Sequence, residues 1–185
     1  LMKTIIVEEL MVPLEAYATV TSDATLREAV IALEKAQMTL APSKHLHRAI
    51  LVLDEYGKVV SKMIMKDILM ALEPKYGELE AEGVLSHSGY SPEFIKSMLK
   101  DNVLWSEPLQ FVCSRAFEVK VSDFMETPED RVYIEENATL DEAIHQLVVC
   151  RYQSLLVTRD KKVVGILRLS DAFTKICDTI KTCEP

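Results

Sequence analysis

At 185 residues, 49% of them hydrophobic and 27% charged, the chain can bury one sizeable core or two small ones, and disordered and fibrous classes are excluded. Its longest apolar runs, Ala49–Leu53 among them, are five residues and fall far short of a bilayer span, and the formal net charge of −8 argues against a dedicated nucleic-acid binder, which needs a basic face to displace counterions. No N-terminal segment joins a basic flank to an apolar run and a small-residue cleavage site, so the sequence reads as that of a cytoplasmic protein.

In chain order, a short extended stretch at 18–20 is followed by Thr25-x-x-Glu28. That spacing predicts a capping box, in which the Thr hydroxyl accepts a helix N–H and the Glu reaches back to the cap. Leu26, Val30 and Leu33 then recur at helical spacing. The segment TLAPSKHLHR at 39–48 has the Pro, Ser, Lys and His content of a surface loop. An apolar strand at 50–53, a polar turn Asp54-Glu55-Tyr56-Gly57 and a second strand lead into a helix beginning near Asp67. After a central stretch the same order returns. An extended segment at 132–134 precedes Thr139-x-x-Glu142, and Leu140, Ile144 and Leu147 follow. A strand at 155–157, a turn Thr158-Arg159-Asp160-Lys161 and another strand then lead to a helix near Asp171.

The two passes are copies. With an offset of 114, residues 7–36 match 121–150 at nine identical positions, among them Val7/Val121, Met11/Met125, Thr25/Thr139, Glu28/Glu142 and Leu33/Leu147. Unrelated sequences would share about two. Lys58-Val59-Val60 and Asp67 match Lys162-Val163-Val164 and Asp171 at an offset of 104. The difference places ten extra residues in the first copy, around 39–48. The predicted fold is mixed α/β (α+β), two βαββα repeats at 1–72 and 119–185 with a helical insertion at 73–118.

Within the insertion, Gly77, Gly83 and Gly89 mark loops and two helices are expected. Ser91-Pro92 caps one carrying Phe94, Ile95, Met98 and Leu99; Ser106-Glu107-Pro108 opens another, with Trp105 at the junction. They form either a hairpin packed on the repeats or a partner surface. Cys113, Cys150, Cys177 and Cys183 form no CxxC pair and read as reduced, mostly buried thiols.

Catalytic motifs are missing. Glycines at 57, 77, 83, 89 and 165 permit neither GxGxxG nor a Walker loop, and no HExxH or GxSxG appears. His45 and His47, in the expected loop, lack the further ligands a metal site needs. A metal is therefore not expected, nor is an enzyme, although a site of unrecognised pattern within 73–118 is the alternative.

The chain resembles the CBS-domain family through VEELMVP and VSDFMETP, then ATLREAVIAL and ATLDEAIHQL, then ILVLDEYGKVVSKMIMKDIL and LLVTRDKKVVGILRLSDAF. The resemblance spans both repeats and implies pseudo-twofold packing with clefts between them. It also implies a homodimer, an effector protein as output, and an adenine nucleotide (AMP, ADP or ATP) or S-adenosyl compound as ligand. In that family the last strand enters the last helix through Gly-h-h-Thr/Ser-x-x-Asp, where h is apolar. The second copy has Gly165-Ile166-Leu167-Arg168-Leu169-Ser170-Asp171, with Arg168 at the hydroxyl position. The first has Ser61-Lys62-Met63-Ile64-Met65-Lys66-Asp67 and keeps only the aspartate.

A carboxylate at such a turn accepts bonds from ribose hydroxyls, while hydroxyls and helix-start N–H groups meet phosphate. The resemblance thus implies Asp171 and, more weakly, Asp67 for ribose. Arg168, Ser170 and Arg48 are implied for phosphate, with Lys44, His45 and His47 beside Arg48. Gly165 is implied for close approach, and apolar Val132 and Ile166 for an adenine slot. Departures at Ile64 and Arg168 also fit a structural dimerisation module with degenerate sites.

Overall fold

The computed structural model describes residues 4–38, 47–86 and 89–182. Both capping boxes form: the Thr25 N–H donates to Glu28 Oε2 at 2.7 Å, the Glu28 N–H to Thr25 Oγ1 at 3.2 Å, and the Thr139 N–H to Glu142 Oε2 at 2.8 Å. They open α1 (Leu26–Met38) and α6 (Leu140–Cys150). Leu26, Ala29 and Leu33 are buried in one, Leu140, Ala143 and Leu147 in the other. Val30, expected in the core stripe, is 42% exposed. The stripe runs i, i+3, i+7, and Val30 lies about 100° round the helix from Ala29, which takes the inward place.

Repeat 1 carries a three-stranded sheet ordered β2-β3-β4, from β2 (Thr19–Thr21), β3 (Ala49–Leu53) and β4 (Val59–Ile64). Repeat 2 carries a four-stranded sheet ordered β1-β7-β6-β5, from β1 (Val12–Pro13), β5 (Tyr133–Glu135), β6 (Ser154–Arg159) and β7 (Lys162–Arg168). In each, a parallel strand flanks an antiparallel hairpin.

The hairpin register corrects the expected insertion. Val52 faces Ser61 and Val157 faces Gly165, so β6 follows β3 at an offset of 105 while the second strands keep 104. Nine extra residues therefore precede β3, and the tenth is in the turn. The Asp54 N–H donates to Lys58 O at 2.9 Å around Glu55-Tyr56-Gly57, with Gly57 at φ +76°. In repeat 2, Asp160 and Lys161, at φ 49° and 63°, make a two-residue turn. These are the two favoured hairpin solutions, and the shorter lets β6 run through Thr158 and Arg159, which the sequence assigns to the turn.

Leading segments are exchanged between repeats. β1 belongs to the first copy yet pairs with β7 of the second, Val12 facing Ile166 and Pro13 facing Gly165. Leu140 N–H donates to Ile5 O and Val7 N–H to Ala138 O, both at 2.9 Å. At symmetry-related positions Leu26 N–H donates to Val119 O at 2.9 Å and Val121 N–H to Ala24 O at 2.8 Å. Each leader thus satisfies an orphan donor at the start of the other repeat's helix. Val7 is buried in the core of repeat 2 and Val121 in that of repeat 1. A third cluster, including Tyr17, Leu51, Val132, Leu156 and Ile166, joins the two sheets.

Each sheet feeds a helix directly, α2 (Met65–Leu72) or α7 (Leu169–Thr182). The insertion holds three α-helices among the described residues rather than two: α3 (Lys75–Ala81), α4 (Pro92–Asp101) and α5 (Leu109–Glu118). Gly77 lies inside α3, not in a loop; burial of Leu79 and packing on α2 override its poor helix propensity. Ser91 caps α4 as expected, accepting the Phe94 N–H at 3.2 Å. No close hairpin forms. The α5 helix lies on α1 and α2, tied by Arg115 to Leu72 O, whereas α4 buries no residue. Cys113 is exposed and Cys150 and Cys177 are half-buried, so burial of these thiols is not what the helices provide; Cys183 lies outside the described residues.

Candidate ligand clefts between the repeats

Where β4 passes into α2 and β7 into α7, the third helical residue is a carboxylate, Asp67 or Asp171. A cleft of about 490 Å³ opens at the first of these turns. Its walls include Ser61, Lys62 and Asp67 of repeat 1, Phe124 and Met125 of the second leader, and Gly77 of α3. Asp67 Oδ2 accepts the Ile64 N–H at 2.8 Å, and burial pushes its carboxyl above the usual range. Lys62 reaches into repeat 2, donating from Nζ to Ser154 O at 2.8 Å and to Ser154 Oγ at 3.2 Å, 5.7 Å from the Tyr152 ring centroid. Burial lowers its amine to about 8.

The second cleft, about 310 Å³, draws its walls from both repeats: Tyr17, Arg48 and Ile64 from one, Ser154, Arg168 and Ser170 from the other. His47 precedes Arg48. It was expected in a solvated loop but is fully buried, its ring edge-on to Tyr17 with centroids 4.2 Å apart. Neither imidazole nitrogen has a hydrogen-bond partner among the described residues. Burial, aided by the Arg168 charge, holds the imidazole below its ordinary 6.5, and burial pushes the Tyr17 phenol up to about 12.

Arg168 lies beside this cleft with its guanidinium on Asp171: Nε donates to Oδ2 at 2.6 Å and Nη2 to Oδ1 at 2.7 Å. The two side chains are 9% and 17% exposed. The pair is bidentate and charge-assisted, the strongest common form of such a contact.

A match to the CBS domain covers residues 7–74 and 121–178. The chain belongs to the CBS domain family. No curated protein matches it in sequence. Among solved structures, a CBS domain-containing protein from Bacillus anthracis aligns at 19% identity over 96% of each chain, with a TM-score of 0.62. CBSX2 in complex with AMP aligns at 17% identity over 96% of this chain and 98% of its own, TM-score 0.57. The CBS domain of a bacterial CNNM/CorC family Mg2+ transporter in complex with ATP aligns at 15% identity over 95% and 89%, TM-score 0.58. At these identities the likeness is one of fold.

Set on the CBS motif, the residues singled out in the sequence divide into three groups. Arg48, Arg168 and Ser170 meet at the second cleft, and Asp67 lines the first. Asp171 is held by Arg168 and is not among the residues lining either cleft. Gly165, Ile166 and Val132 serve packing. A Cβ at Gly165 would lie 2.6 Å from Val12 O and 2.9 Å from Met11 Sδ, so its missing side chain admits strand β1 rather than a ligand. Ile166 and Val132 sit in the cluster that joins the sheets. Lys44 and His45 lie outside the described residues. Lys62 and Tyr17 are additions the motif did not single out; a lysine within the strand VVSKMI was the signal for the first. Among the described residues no three His, Cys, Asp or Glu side chains gather as for a metal ion, and no helix is long and apolar enough to cross a membrane.

Proposed function

We propose that the chain is a regulatory module that senses an adenine nucleotide or a related adenosyl compound between its CBS repeats, and that it carries out no catalysis of its own. The Asp67 carboxylate carries this reading: it stands at a strand-to-helix turn on a cleft walled by both repeats, open to a ligand's paired hydroxyls. Solved CBS-pair structures of this fold with AMP and with ATP support the ligand class. A ligand in that cleft touches α2 and the second leader together, so its affinity depends on their relative placement, as a sensor requires.

Leu69 and Phe173 occupy equivalent positions on α2 and α7 and are 55% and 65% exposed. Such paired apolar side chains suit a second copy of the chain, giving a homodimer with an effector protein as output. A cytoplasmic setting belongs to the same reading.

Thermal-shift and calorimetric titration with AMP, ADP, ATP and S-adenosylmethionine tests it. At least one should raise the melting temperature, because a ligand selective for the folded state stabilises it. Asp67→Asn should then weaken binding roughly 10- to 100-fold, the effect of losing about 1.5–3 kcal/mol of charged hydrogen bonding. If none of the four binds, the structural dimerisation module is the better reading; the closed Arg168–Asp171 pair is what favours it.

A further inference from the structure

The two clefts differ in the sign of their walls. Charged residues on the smaller one are Arg48 and Arg168, with no carboxylate among its lining residues. On the larger, Lys62 and Lys66 are outnumbered by Asp67, Glu80, Asp123 and Glu126.

One substitution also sets the two motif carboxylates in different states. In repeat 1 the residue three before the aspartate is Ile64; Asp67 caps its own helix through the Ile64 N–H and still lines its cleft. In repeat 2 that position is Arg168, and both oxygens of Asp171 are engaged by one guanidinium.

We propose that Arg168 is the specificity-determining residue of the second-repeat cleft, admitting phosphorylated nucleosides and refusing uncharged or cationic adenosyl compounds. The inference rests on the adenosyl reading above. A ligand hydroxyl reaches Asp171 only when the guanidinium leaves it. For a neutral nucleoside that step separates a largely buried ion pair and gives the arginine nothing in return. A phosphate offers the same fork a second bidentate acceptor, so one charged pair replaces another. Arg48 and the Ser170 hydroxyl line the same cleft and are placed to share the anion. The anion therefore acts as the key that frees the ribose reader.

The test is calorimetry with AMP, adenosine and inorganic phosphate on chains carrying Asp67→Asn, which removes the other carboxylate. With Arg168 present, AMP should bind at least tenfold more tightly than adenosine. Arg168→Thr should raise adenosine affinity, weaken AMP and inorganic phosphate, and cut the AMP-to-adenosine ratio severalfold, leaving the part that Arg48 and Ser170 supply. Arg168→Lys keeps the charge without the fork and should fall between. Melting curves establish that each variant is folded, and R168K stands in if R168T is not. An unchanged ratio, or adenosine affinity that falls when the arginine is removed, overturns the proposal while leaving the adenosyl reading intact. Failure of the unsubstituted chain and of every variant to bind any adenosyl compound overturns both.

Discussion

At the end of β4 the chain places Ser61, Ile64 and Asp67; at the end of β7 the same three positions hold Gly165, Arg168 and Asp171. The backbones agree, each strand pairing in its hairpin and running straight into a helix. The leaders crossing them differ in approach. β1 comes so close to Gly165 that a methyl group would meet Val12 O at 2.6 Å, whereas at Ser61 the hydroxyl donates to Glu126 O, the equivalent carbonyl, at 2.6 Å. A side-chain hydrogen bond in one repeat does the work of strand pairing in the other. The motif glycine, taken from sequence alone as a device for ligand approach, is here a device for joining repeats. Losing it in the first copy did not lose the junction.

Substitution at the two positions gives the sharpest test. Gly165→Ala should destabilise the fold by about 2–3 kcal/mol, the upper part of the range for overpacking, because backbone is what its Cβ meets. Ser61→Ala should cost about 1 kcal/mol for one hydrogen bond. Chemical denaturation of both variants ranks them, and equal losses would mean that the two junctions are built alike. At the opposite, exposed ends of the comparison, Leu69→Glu together with Phe173→Glu should leave the melting temperature within a few degrees but convert a dimer to monomer in sedimentation. A chain that is already monomeric at micromolar concentration would refute the homodimer.

The smallest expected effect concerns His47, whose equivalent in repeat 2 is Tyr152. Its folded-state pKa lies below 6.5, so between that value and 6.5 the unfolded chain binds a proton that the folded chain does not. Stability is fully present above about pH 6.5 and is lost as pH falls below it. His47→Phe should flatten the decline in melting temperature between pH 7.5 and pH 5.5. An unaltered slope would show that other groups carry it.

Much of this fold could be read locally. Capping boxes, the Ser91-Pro92 start and the duplicated order depend on residues within a few positions of each other, and those features formed as spacing predicts. What needed the structure was long-range. Gly77 breaks helix propensity, so α3 is invisible until α2 is there to pack against it. The tenth inserted residue hides in a hairpin turn because both loop lengths satisfy sheet twist equally well. The candidate site was half legible: Asp67, Arg48, Ser170 and Arg168, singled out in the sequence, line the two clefts, but pairing of Arg168 with Asp171 leaves Asp67 as the motif carboxylate on a cleft wall. Sequence spacing of three permits that contact on a helix start without requiring it.

The exchanged leaders bear on how such a chain can be divided. A cut between the repeats, near the turn at Gly83, leaves one fragment holding the first sheet and the leader that completes the second, and the other fragment the reverse. Neither half contains its own first capping partner, since Leu26 finds Val119 and Leu140 finds Ile5 only across the cut. The two repeats are thus a lock and key to each other twice over. Separated pieces would recover the fold by finding their complement, which makes this junction a natural seam for fragment complementation rather than a boundary between independent domains.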